Sequence, residues 1–234
     1  MGRVHLAEIE GRRAMSVRMQ GRIAGLVYLG VVLTGIFTLA YAASKLFGSD
    51  DPAITATTLA AKLGLLNASN IAFLAMCAFF LALPFALARF LAPYGRISSR
   101  LMIAFVVASI PFSLLAIMQH FELASLAGRG ELSSAAVGAG LEAYDKWIGV
   151  ASIFWGLWLA PLGWLVLKSG AIPRIIGVFL ILGCIEYLAE YFGPLVSDGY
   201  KASQLREMLS WTSSIGEIAT CLWLLVMGAR PGKD

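Results

Sequence analysis

The sequence predicts an all-α fold, a polytopic integral membrane bundle of six transmembrane helices with both termini in the cytoplasm. Composition is the first reason. Of 234 residues, 59% are hydrophobic and only 14% charged, where soluble domains carry about 45–50% apolar and about 25% charged residues. Run length is the second, because several apolar stretches exceed the roughly 18 residues that mark a spanning helix. Charge placement is the third. The N-terminal segment (Arg3, Arg12, Arg13, Arg18, Arg22), the Arg89/Arg96/Arg100 loop, the Lys168/Arg174 hairpin and the Arg230/Lys233 tail hold twelve of the 18 Lys and Arg residues. A six-helix path puts these segments on one side, which the positive-inside rule makes cytoplasmic. The net charge of +4 is thus spread over membrane loops, which argues against a nucleic-acid partner. The expected setting is the lipid bilayer of the cell inner (cytoplasmic) membrane, crossed several times.

Residues 1–22 read as a cytoplasmic basic segment, either an interfacial helix or a tail, with Met15 and Met19 as alternative starts. A single membrane domain covers 23–229, and 230–234 is a cytoplasmic tail. The first span is 23–43. Its end resembles a signal-peptidase site, but the apolar run outlasts the roughly 7–15 residues of a signal h-region, and Gly21, Gly25 and Gly30 suit helix packing. Asp50-Asp51-Pro52 has helix-start chemistry and opens a mildly amphipathic helix over 50–66, expected along the outer surface. The second and third spans are 69–91 and 97–121. Residues 122–146 form the longest polar stretch, with Gly128-Arg129-Gly130 and Gly138-Ala139-Gly140 as turn signals and 141–145 as a short helix. The fourth span is 147–167. A tight hairpin over 168–174 leads into the fifth, 172–192, which Gly193-Pro194 ends, and the sixth is 208–227. Pro84, Pro111 and Pro161 lie inside spans and are expected to kink them. Cys77, Cys184 and Cys221 have no Cys-x-x-Cys spacing, so they are expected to pack as small hydrophobes.

The polar residues within these spans are the candidate site. Glu186 and Glu190 are four residues apart and share one face of the fifth span. A charge at membrane depth costs about 2.5–3.5 kcal/mol on insertion scales, so such groups generally face protein and have a partner. At 1.5 Å per residue, Glu186 lies about 20 Å from the cytoplasmic start of its helix, Glu190 about 26 Å, and Glu217 about 15 Å from the outer end of the sixth span. His120, beside Gln119 and Glu122, closes the third span on the outer side, where Asn67 and Asn70 open the second. One cavity facing the outer half of the membrane would gather them. Such a cluster suits proton relay, cation binding or general-acid chemistry on a lipid-like substrate. No metal is assigned, since the other histidine, His5, is in the tail.

The competing reading is that each glutamate bonds to Tyr187, Tyr191, Thr212, Ser213 or Ser214 and simply ties helices together. Glu190, near the interface, could instead reach water. Trp155 and Trp158 share a face of the fourth span and would either line a pocket, stack over a cation, or pack against neighbours. Trp147 and Trp164 have the character of interfacial anchors.

No P-loop, Gly-x-Ser-x-Gly, His-Glu-x-x-His or dinucleotide fingerprint occurs, and the residues imply no particular cofactor. The C-terminal half instead resembles the bacterial membrane family catalogued as domain of unknown function 4386. The residues that carry the likeness are Ile148-Gly149, Phe154-Trp-Gly-Leu157, Leu162-Gly-Trp-Leu165, Lys168-Ser-Gly-Ala-Ile-Pro-Arg-Ile-Ile-Gly177, Glu186-Tyr-Leu-Ala-Glu190, Ile215-Gly-Glu217 and Leu222-Trp-Leu-Leu-Val-Met-Gly228. Ala24-Gly-Leu-Val-Tyr28 and Gly35-Ile-Phe37 extend it to the first span. The resemblance implies that Glu217 and an acid at Glu190 are family features. Glu186 stands where a small residue such as Gly is expected, and Trp158 where the family often shows His. Both departures speak against a metal or proton-relay chemistry shared across the family.

The leading expectation is therefore binding, with transport as an extension, of a small or lipid-like ligand by an intramembrane site. Its candidate residues are Glu217, Glu186, Glu190, His120, Tyr187, Trp155 and Trp158. An intramembrane enzyme acting on an isoprenoid or lipid with Glu as general acid is the first alternative. A non-catalytic accessory membrane subunit is the second.

Overall fold

Helix-forming apolar runs fold here as helices longer than the bilayer requires. The computed structural model describes residues 2–196 and 211–230, with side chains from Ser16 onward. Helix α1 is Gly2–Gly35, followed without a break by a π-helical stretch Ile36–Ala42 and by α2, Ala43–Leu46. Then come α3 (Pro52–Ala61), α4 (Leu63–Leu91), a 3-10 turn at Ala92–Tyr94, α5 (Arg96–Arg129), α6 (Ser134–Leu157), α7 (Leu159–Ser169), α8 (Arg174–Val196) and α9 (Thr212–Met227). Five of the described helical stretches are long and apolar enough to cross a membrane: Ser16–Leu46, Leu63–Tyr94, Arg96–Arg129, Ser134–Ser169 and Arg174–Val196. Helix α9 is apolar but only 16 residues long. The start of the expected sixth span, 208–210, and the polar loop before it lie outside the described residues.

Several boundaries differ from those expected, each for a local reason. Residues 2–22 continue directly into the first span as helix. The amphipathic helix expected over 50–66 is capped as predicted, with the Ala53 amide donating to Asp51 Oδ1 at 2.8 Å and Pro52 at the first turn. It breaks at Lys62, whose ammonium donates to the Lys45 carbonyl at 3.0 Å and so satisfies a group left over at the end of α2. The stretch 122–146 is not a long loop. Helix α5 runs on to Arg129, Gly130 turns with φ 72°, and α6 starts at Ser134.

Gly138-Ala139-Gly140 lies within α6 and is a contact face rather than a turn, since a Cβ on Gly140 would stand 3.1 Å from Leu123. At 34 residues, α5 is about 51 Å long, well beyond a hydrocarbon core of about 30 Å. Pro84, Pro111 and Pro194 are all inside continuous helix, so Gly193-Pro194 does not end α8. Pro161 does interrupt: α6 stops at Leu157, the residue whose carbonyl a proline four positions on displaces. The expected hairpin forms, with Gly170 left-handed (φ 62°) after α7 and Pro173 just ahead of α8.

The chain divides into two compact units. The first comprises 1–29, 80–107 and 152–234. Its helices meet through small residues. A Cβ on Gly163 would stand 2.6 Å from the Gly177 carbonyl oxygen, and one on Gly183 would stand 2.7 Å from Ser213 Cα. Gly25 is as close to the backbone of Leu225. Backbones that approach this closely maximise van der Waals contact where lipid offers no hydrophobic drive.

The second unit comprises 30–79 and 108–151. It has a leucine-rich core of Ala42, Leu46, Leu59, Leu66, Leu123, Ala124 and Val137, flanked by Phe47, Leu63, Leu132 and Leu141. The core residues come from the π-helical stretch, α2, α3, the start of α4, the C-terminal part of α5 and the start of α6.

Candidate functional site

In the first unit two of the three expected carboxylates, Glu186 and Glu217, are engaged with neighbouring helices. Glu186 Oε2, on α8, accepts the Ser213 amide at 2.7 Å and the Thr212 hydroxyl at 3.0 Å. It therefore caps the first turn of α9 from a neighbouring helix, a favourable place for a negative charge. Four residues further along α9, Glu217 Oε2 accepts the Tyr28 hydroxyl of α1 at 3.2 Å. Both glutamates are half-buried, whereas Glu190 is exposed. Tyr187 is half-buried, with its Cβ against Gly156. Trp158 is buried in an aromatic cluster, its ring centroid 6.2 Å from Tyr28 and 5.3 Å edge-on from Phe80. Trp155 Nε1 is buried without a hydrogen-bond partner among the described residues. All six are thus in one unit, with Glu186 and Glu217 acting as ties between helices.

His120 is in the other unit, separate from the acids it was expected to join. It is not at a helix end, because α5 continues two turns past it. Its ring is the middle of a three-ring stack, 4.6 Å from Phe47 (22°) and 4.0 Å from Tyr144 (8°). These rings border a cavity of about 210 Å³ whose lining is completed by Thr38, Leu39, Ala43, Ser69, Leu141 and Asp145.

Each element presents its residues by register. Leu141, Tyr144 and Asp145 are i, i+3, i+4 on α6 and share a face. Thr38, Leu39 and Ala43 come from the π-helical stretch and its end, a local geometry often found at functional positions. Thr38 and Ser69 hydroxyls pair at 2.9 Å.

The polar supply of this unit is not internally matched. His120 is 7% exposed and its Nε2 has no partner among the described residues. Asn70 is fully buried and neither atom of its amide has one. Leaving such a group unpaired costs about 1–3 kcal/mol. Asp145 is exposed at the cavity and forms no ion pair among the described residues.

Among the described residues no group of three His, Cys, Asp or Glu side chains could hold a metal. The three cysteines are buried free thiols, and Cys221 Sγ lies 3.8 Å from the Gly25 carbonyl.

Of the nine lining positions sequence reasoning singled out His120 alone and missed the other eight. The available signal was the 141–145 segment, whose leucine, tyrosine and aspartate fall on one helical face once it is read as part of a longer helix.

Set against known families, residues 23–228 match the one described as Domain of unknown function (DUF4386). No curated protein and no solved structure matches the chain.

Proposed function

The chain belongs to the DUF4386 family, a premise that carries no activity with it, and we propose that it is a six-span protein of the bacterial cytoplasmic membrane, N- and C-termini inside, that binds a small ligand in the His120 cavity. The positive-inside distribution of Lys and Arg supports that orientation. Helix α9 supports a sixth span: it is apolar and follows the five longer stretches, and its 16 residues cover about 24 Å. In that orientation the α5–α6 end of the second unit faces outward.

The cavity carries the reading. A cavity of about 150 Å³ accommodates benzene, so 210 Å³ suits a molecule of roughly six to ten non-hydrogen atoms. Convergent polar groups on a mostly apolar wall are the usual composition of a ligand site. Unmatched hydrogen-bonding capacity at His120 is tolerated at a binding site and is a cost anywhere else. Glu186 and Glu217 take the role of helix ties, Tyr187 and Trp158 pack the first unit, and Glu190 faces out.

Native mass spectrometry on protein purified gently from its own membranes tests this reading. Wild type and Glu217→Gln are expected to retain a small molecule that Ala43→Phe, which fills the cavity, lacks. Loss in Glu217→Gln instead would move the site to the carboxylates and favour general-acid chemistry on a lipid. A bare mass in all three would remove the binding reading and leave the accessory role.

A further inference from the structure

The sign of charge at the cavity narrows its ligand. Asp145 is the formally charged side chain in the lining, and no Lys or Arg is among the lining residues. Lys146 is directed to Trp147, with its ammonium 5.5 Å from the ring centroid, and Lys62 donates to the Lys45 carbonyl. An anionic ligand would meet an unneutralised carboxylate and no cationic donor.

The other polar groups offer lone pairs. The Thr38–Ser69 pair commits one of its two protons internally, and each hydroxyl oxygen keeps acceptor capacity. Phe47, His120 and Tyr144 add an aromatic wall in which the two outer rings, Phe47 and Tyr144, each keep one face uncovered by the stack, and a cation within about 6 Å of such a face is attracted by the ring quadrupole. Leu39, Ala43 and Leu141 complete an apolar side.

A bare inorganic ion would leave most of this volume unfilled. We propose that the cavity is a site for a small organic cation, a protonated amine or methylated ammonium, with Asp145 as its counter-charge and the Phe47–His120–Tyr144 stack as its wall. The proposal rests on the binding reading above and specifies its ligand class.

The test is calorimetric titration of the full chain in nanodiscs of zwitterionic lipid, with empty nanodiscs as blank. Two probes of equal size are compared: benzylammonium, charged at neutral pH, and benzyl alcohol, its neutral counterpart. Wild type is expected to bind benzylammonium about tenfold more tightly, from an ion pair plus a cation–π contact. Asp145→Asn, at an exposed position, is expected to keep its fold and bind the two probes equally.

Equal binding of both probes by wild type would overturn the cation proposal while leaving a ligand cavity in place. An undiminished preference in Asp145→Asn would overturn Asp145 as counter-charge. Displacement of benzylammonium by sodium, but not by N-methylglucamine at equal ionic strength, would assign the charge site to an inorganic ion and overturn the organic ligand. No binding of either probe at millimolar concentration, with wild-type circular dichroism intact, would overturn both the proposal and the cavity reading.

Discussion

The two units solve the same problem, polar groups inside apolar helices, in opposite ways. In the first, the carboxylates of Glu186 and Glu217 are bonded to Ser213, Thr212 and Tyr28, and the helices around them close up glycine to backbone. In the second, the polar groups are mostly neutral, the core is leucine-rich, and a cavity remains with His120 and Asn70 short of partners. The carboxylates of the first unit therefore serve cohesion, and those polar groups of the second that line the cavity, Asp145 among them, border the space a ligand can enter. The first unit also holds unmatched buried donors, the indole N–H groups of Trp155 and Trp223, but in the second unit an unmatched group, His120 Nε2, coincides with a cavity.

Substitutions that separate cohesion from binding sharpen this contrast. The largest effect is expected at the glycine contacts. Gly163→Val puts side-chain atoms into the Gly177 carbonyl and Ile181, and should cost on the order of 3 kcal/mol, read as a large fall in Tm of the purified protein. A normal Tm would mean that the first unit is not held by these close approaches.

Glu186→Ala comes next. It strips the cap from α9 and should lower stability by about 2 kcal/mol, whereas Glu186→Gln, which still offers a carbonyl, should lose less than half of that. Equal losses would point to charge rather than hydrogen bonding as the origin. Tyr28→Phe removes one interhelical bond to Glu217, and unfolding in detergent should register a loss of about 0.6–1 kcal/mol.

The smallest expected change has the opposite sign. Asn70→Leu and His120→Phe replace unpaired polar groups by apolar ones of similar size, and each should leave Tm unchanged or raise it by up to about 1 kcal/mol in stability. His120→Phe should do so while weakening ligand retention. A destabilised His120→Phe would mean that the imidazole is structural and would erase the difference between the units.

How far the sequence revealed this arrangement depends on which physical signal each part emits. The helical membrane architecture is legible because run length and composition are collective properties that a single substitution does not alter. Asp51-Pro52, Gly170 and Pro173 announce their caps and turns because each has a narrow conformational repertoire. Residues 122–146, the end of α5 and the start of α6, are ambiguous in sequence, since polar residues there signal emergence from the bilayer as readily as loss of helix.

The glutamates drew attention by the expense of intramembrane charge, yet expense demands a partner and does not identify one. Ser213, Thr212 and Tyr28 are far along the chain from the acids or on other helices, and only the packing brings them together. The cavity was nearly invisible for a related reason. Its residues are ordinary one by one, and what distinguishes them is the stacking of Phe47 on His120, more than seventy positions away, and of His120 on Tyr144 of the next long helix.

The π-helical stretch Ile36–Ala42 has a further consequence for the first helix. The stretch lies wholly within the second unit, between the α1 segment that begins at Gly30 and the residues Ala43 and Phe47 that border the cavity. A regular α-helix fixes the angular relation between any two of its residues. Each extra residue taken up by a π turn advances the phase by about 100°. The stretch thus acts as a spacer in angle rather than in length, letting the faces before and after it be set independently. Shortening it by one residue, for instance by deleting Ala40, would leave Thr34 where it is and swing Ala43 and Phe47 away from the cavity.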